Sequence, residues 1–213
     1  MNDIPKRKKR FTRAGKLRPV LEKLPGAAVN YVLISVLTLA SFYLSLLSTS
    51  QPVHSYQRAP ISNAISILEA EGFAREVVLL RYVATFRTSD SWLNSFVPDE
   101  NAYAATNFPF EVITLYPDFF NKATDDRERA AILLHEAQHL LGKTEKQAYE
   151  YVWKNRKALG WTQMAYGTTE SYVTIELQTR EFCPDLFVCT QNLWNDCTQA
   201  KKGTLHLADK SGS

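Results

Sequence analysis

Residues 135–139 read His-Glu-Ala-Gln-His, and of all the residues in this chain these are the best equipped for chemistry. Side chains four apart on an α-helix leave the same face, one turn above the other. His135 and His139 in that relation can offer two imidazole nitrogens to one Zn²⁺. Glu136, between them, is placed to take a proton from water activated at the metal. A lone histidine on an apolar helix is ordinarily a satisfied core residue. Here two of the chain's four histidines share this spacing beside a carboxylate, which points to a metal.

A catalytic zinc takes three protein ligands and keeps one position open. Two carboxylates follow closely, Glu145 and Glu150. Glu150 aligns at helical spacing with Lys146, Lys154 and Lys157, the pattern of a solvated charged face. Glu145 instead heads the row Ala148, Tyr149, Val152, Trp153, which should turn toward the core. A carboxylate on such a face needs a cation beside it. The expected metal set is therefore His135, His139 and Glu145, with Glu136 as general base. Attack of water on a carbonyl also needs an oxyanion donor, for which Tyr166, Tyr172 and Arg180 could fold back.

The elements that must position these groups follow from local signals. Asp125 and Glu128 form a capping-box pattern opening a helix that runs to Leu141, ended by Gly142. Thr144 and Gln147 open a second helix at once, running to about Leu159 and ended by Gly160. Upstream, Val112–Leu115 alternates with β-rich residues and Pro117 closes it, which predicts a strand. That strand belongs to a sheet core and could also align an extended peptide by β-addition. Ile61–Glu71 has helical spacing with Gly72 as a stop, Arg75–Phe86 reads equally as helix or strand, and 89–109 reads largely as loop.

On these residues the chain resembles the gluzincin metallopeptidases: a His-Glu-x-x-His helix, a tight turn, then Glu on the following helix. The stretch Asn101-Ala102-Tyr103-Ala104, the strand and the zinc helix extend the likeness to the CAAX-prenyl-protease and HtpX-type membrane peptidases, in which such a stretch and an edge strand precede the site. The third-ligand context there is Glu-x-x-Ala-Asp; here it reads Glu145-Lys146-Gln147-Ala148-Tyr149. The interval from His135 to Glu145, with Gly142 at the turn, also fits the metzincin spacing, and both registers nominate Glu145. The resemblance covers roughly residues 99–160 and implies a zinc hydrolase that cleaves peptide bonds.

Charge and hydropathy divide the remainder. Residues 1–26 carry nine Lys/Arg against Asp3 and Glu22, a net +7, whereas the whole chain is +3. The basicity belongs to an arm, and no nucleic-acid partner is expected. No Asp, Glu, Lys or Arg falls between Lys23 and Arg58, and 27–49 is mostly apolar. About 20 such residues cross a hydrocarbon core of roughly 30 Å. With the positive arm before it, this segment is expected to be a signal anchor with a cytoplasmic N-terminus and the rest of the chain on the extracytoplasmic side. All three cysteines lie on that side, where Cys183–Cys189 or Cys189–Cys197 can pair and leave one thiol free.

The expected organisation is thus a basic arm (1–26), a transmembrane helix (27–49), a linker (50–60), a zincin-like domain (61–200) and a polar tail (201–213). The fold class is α+β, with the His-Glu-x-x-His helix packed beside a small sheet. The expected function is a membrane-anchored metallopeptidase acting on protein or peptide. The readings from other classes are a catalytically silent zincin-fold module that binds partners, and a hydrolase of non-peptide amide bonds. The sequence carries no signal for oligomeric state.

Overall fold

A computed structural model describes residues 26–93, 102–190 and 195–199. The expected basic arm up to residue 25, the tail after 200 and Asn101 lie outside the described residues. The chain divides into two compact units, 1–42 and 43–213. What is described of the first is the N-terminal part of helix α1 (Gly26–Thr49). Within α1, Ala28–Thr49 is long and apolar enough to cross a membrane, and almost none of it is buried in protein. Its 22 residues rise about 33 Å.

The second unit begins with the last turns of α1. Here the helix is no longer bare: Leu46 is fully buried, the Tyr43 hydroxyl meets the Thr85 hydroxyl at 3.0 Å, and the Trp92 indole donates to Ser45 Oγ at 3.1 Å. Helix α2 (Ser55–Ala70) follows after only a few residues. The expected linker is thus cut short, and the helix starts six residues before Ile61. The linker signals Ser50, Gln51 and Pro52 all precede the helix, whose first turn is secured by Gln57 Oε1 accepting from the His54 amide, and Pro60 is carried inside it. The ambiguous 75–86 stretch is both things in turn: helix α3 (Ala74–Tyr82), then strand β1 (Thr85–Arg87).

Strand β2 (Ala104–Asn107) lies inside the stretch expected to be loop, and β3 (Val112–Leu115) falls where alternation put it. The sheet order is β1-β3-β2, with β1 parallel and β2 antiparallel to the centre. Because β3 is paired on both sides, Thr106 facing Ile113 and Phe86 facing Ile113, it has no edge for an added peptide. That expectation is corrected: the edge strand next to the site is β2.

After the short α4 (Pro117–Asn121), helix α5 (Asp126–Leu140) runs through the middle of the unit with Ala130, Ala131, Leu133, Leu134 and Ala137 wholly buried. It packs against α2, α3, β2 and α6 (Glu145–Asn155). Asp125 caps it by accepting from the amides of Arg127 and Glu128, both at 2.9 Å. The second half of the expected box is absent, because Glu128 turns outward from it. Its carboxylate is fully buried and accepts from the Thr124 amide and hydroxyl and from the Thr169 hydroxyl, so it ties α5 to the start of α8 (Glu170–Phe182). Short α7 (Gln163–Tyr166) leads into α8, and Trp153, Trp161 and Tyr172 pack ring against ring behind α6. The class is a mostly helical α+β arrangement with one small sheet.

One disulfide forms, Cys189–Cys197, the second of the two expected pairings, and Cys183 stays a buried free thiol. Next to that disulfide Asp196 is buried against the equally buried Arg156 and accepts the Trp153 indole proton at 3.2 Å.

Candidate metal centre

The tight turn between α5 and α6 builds the site. Gly142 sits at φ +70°, in the left-handed region that any side chain resists, and reverses the chain immediately after the last turn of α5. Thr144 then accepts from the Gln147 amide while Gln147 Oε1 accepts from the Thr144 amide at 3.1 Å, the capping box expected here. Glu145 becomes the first residue of α6, where the helix N-terminus favours its negative charge. The turn therefore sets a carboxylate opposite the two histidines that close α5.

The resulting distances are short and nearly equal. His135 Nε2 lies 3.0 Å from His139 Nε2 and 3.2 Å from Glu145 Oε2; His139 Nε2 lies 3.3 Å from Glu145 Oε1. Two ligand atoms at zinc bond lengths in a tetrahedral shell are separated by about 3.3 Å. The two carboxylate distances run to different oxygens; with one ligand atom from each residue, the three atoms lie within 4.8 Å of one another, close enough that these residues could hold a metal ion. The turn also sets the tautomer of one candidate ligand. The Lys143 carbonyl lies 3.0 Å from His139 Nδ1, which makes that nitrogen the donor and turns the Nε2 lone pair toward the other two groups.

The electrostatics follow from that crowding. Hydrogen bonds to His135 and then His139 hold the Glu145 carboxyl far below the usual carboxylate range. For His139, burial opposes the proton, but the Glu145 hydrogen bond and the charge of Glu136 outweigh it and raise the imidazole above its ordinary value.

Glu136 is almost fully buried beside this triangle, and one of its oxygens accepts from the Thr106 hydroxyl of β2 at 2.7 Å. All four residues border a cavity of about 360 Å³, walled on its apolar side by Ala104, Ala105, Ile132, Val152, Ile175 and Phe182. Glu150 is not among them. It pairs with Lys154 on the outer face of α6, as its charged neighbours predict.

None of Tyr166, Tyr172 and Arg180, the three residues that could have folded back as oxyanion donors, lines the cavity. Tyr166 donates to Asp125 at 2.7 Å, Tyr172 is buried among the tryptophans, and Arg180 binds Glu176 with its guanidinium over the Phe187 ring. Tyr149 is there instead. Its ring centre lies 4.4 Å from that of His135, stacks on Phe182, and carries a hydroxyl that donates to Gln178 Oε1 at 2.9 Å. Burial, then the charges of Glu145 and Glu136, push that phenol up, so it keeps its proton. Tyr149 follows Glu145 by four residues, one turn along the same row. That spacing was the available signal, hidden because the row reads as core. Thr106 had none, since its role depends on β2.

No protein-family model, curated protein or solved structure matches this chain.

Proposed function

We propose that this chain is a membrane-anchored zinc metallopeptidase with His135, His139 and Glu145 as ligands and Glu136 as general base. The observation that carries this reading is the convergence of two imidazole nitrogens and a carboxylate whose ligand atoms lie within 4.8 Å of one another, with a second carboxylate against the same cavity. Zinc bound there would polarise a carbonyl and lower the pKa of water. Glu136 takes the proton from attacking water and delivers it to the leaving amine. The Thr106 hydroxyl occupies one of its oxygens, which leaves the other to make that transfer. The Tyr149 phenol, which keeps its proton and borders the same cavity, could donate to an oxyanion by turning from Gln178. Strand β2 is an edge strand whose Ala104 and Ala105 border the cavity, so an extended peptide can add to it beside the site. An apolar wall suits an apolar side chain next to the scissile bond.

The basic arm favours a cytoplasmic N-terminus, which puts the chain after residue 50 on the extracytoplasmic side, where the Cys189–Cys197 disulfide is at home. The test is metal content and peptide hydrolysis of the purified chain beside Glu136→Gln and His139→Ala. One zinc per chain, kept in Glu136→Gln and lost in His139→Ala, with turnover only in the wild type, is the expected result. Zinc with no turnover against any peptide would return the chain to a binding module, and no zinc after supply would end the metal reading.

A further inference from the structure

A second cavity, of about 490 Å³, opens between α2 and β1. Its floor is apolar, from Ile61, Ile65, Leu80 and Phe86, and three arginines border it. Arg81 is committed, with both terminal nitrogens on the Glu69 carboxylate at 2.7 and 2.9 Å. Arg58 and Arg87 have no acidic partner among the described residues, and Arg87 Nε is buried with nothing accepting its proton. A desolvated guanidinium N–H without an acceptor is a standing cost that an anion would remove.

The cavity is also tied to the end of the apolar helix. Its wall residues Pro52 and Val53 follow Thr49 within four positions, and its wall residue Thr85 is the one that meets Tyr43. An apolar trough with two free guanidinium groups, joined to a helix fit to cross a bilayer, matches one occupant in shape and charge. We propose that this cavity binds an anionic phospholipid, with the phosphate at Arg58 and Arg87 and the start of an acyl chain against Ile61, Ile65 and Leu80. The proposal rests on the reading of α1 as a membrane helix and is independent of the metal site.

The probe is phosphatidylglycerol with a diazirine in one acyl chain, incorporated with the full-length chain into phosphatidylcholine vesicles. Flotation with the vesicles checks the membrane reading first; a chain that stays soluble overturns both. After irradiation and peptide mapping, labels within 52–65 and 80–87 are expected, reduced severalfold in the Arg58→Gln/Arg87→Gln variant. Ser62→Trp, at an exposed helical position on the rim, fills the cavity without touching the arginines and should cause a similar loss. Labels confined to 28–49 would overturn the proposal. So would equal labelling by the corresponding phosphatidylcholine probe, or full displacement by inorganic phosphate, which would reduce the site to a phosphate subsite.

Discussion

Two imidazole nitrogens 3.0 Å apart and a carboxylate within 3.3 Å of each repel one another unless a cation sits between them. Glu145 favours such a cation as a proton on His139, whose imidazole it helps to raise. A sign can therefore be assigned to pH. The Glu145 carboxyl is depressed and the His139 imidazole raised, so their pairing is intact between the two titrations. It is lost as pH falls through the depressed carboxyl or rises through the raised imidazole. Metal must displace the His139 proton, so zinc affinity should drop about tenfold per pH unit below that titration. Thermal shift with and without zinc across pH 5.5–8.5 checks this, and the zinc-induced gain must grow toward the alkaline end. The Thr106 contact makes a sharper prediction. Thr106→Val removes one hydrogen bond to a buried charge, of about 1.5 kcal/mol, so kcat should fall about tenfold while zinc content and KM hold. Glu136→Gln, which removes the proposed base, should lower kcat roughly 10²–10⁴-fold.

At the scale of elements, the α5–turn–α6 unit is the part that the sequence spells out, because each of its signals is local. Gly142 takes the left-handed conformation, Thr144 and Gln147 cap, and Glu145 follows at the first helical position. Thr144→Ala should therefore do two things at once: lower stability by about 1 kcal/mol and loosen the third ligand. Urea denaturation with zinc titration separates them. A loss of stability with unchanged zinc affinity would show that Glu145 is held by the metal and not by its helix. The elements that were not legible depend on contacts made across the chain. Ala104–Asn107 has too little β-character to read as a strand alone and becomes one by pairing with β3. Glu128 looks like half of a capping box, yet Thr124 and Thr169 compete for its carboxylate and win it. The 75–86 stretch gives no period because it changes from helix to strand midway. Tyr166, Tyr172 and Arg180 could be nominated for the site only because sequence does not report which partners they meet first.

At the scale of the whole molecule, the apolar helix and the domain overlap within α1, and the domain does not begin at its end. From Tyr43 onward the helix supplies the domain with a fully buried leucine, a hydroxyl contact to Thr85 and an acceptor for the Trp92 indole. The Ser50 hydroxyl in turn closes on the Leu46 carbonyl at 2.8 Å, and Thr88 and Ser89, just after β1, exchange bonds with the backbone of Gln51. The end of the apolar helix is thus built into the edge of the sheet that holds β1. A soluble fragment cut where the apolar run ends, residues 51–213, should therefore be weaker than one that begins at Tyr43. Burying one leucine is worth about 2–3 kcal/mol, and each lost hydrogen bond about 1 kcal/mol. Urea unfolding of the two fragments should separate them by about 4–5 kcal/mol, with the larger m-value for the longer one. Leu46→Ala in the longer fragment should remove roughly half of the difference, the share of the leucine side chain. Equal stabilities would mean that these turns serve the membrane alone, and the domain would then start where the charged sequence resumes.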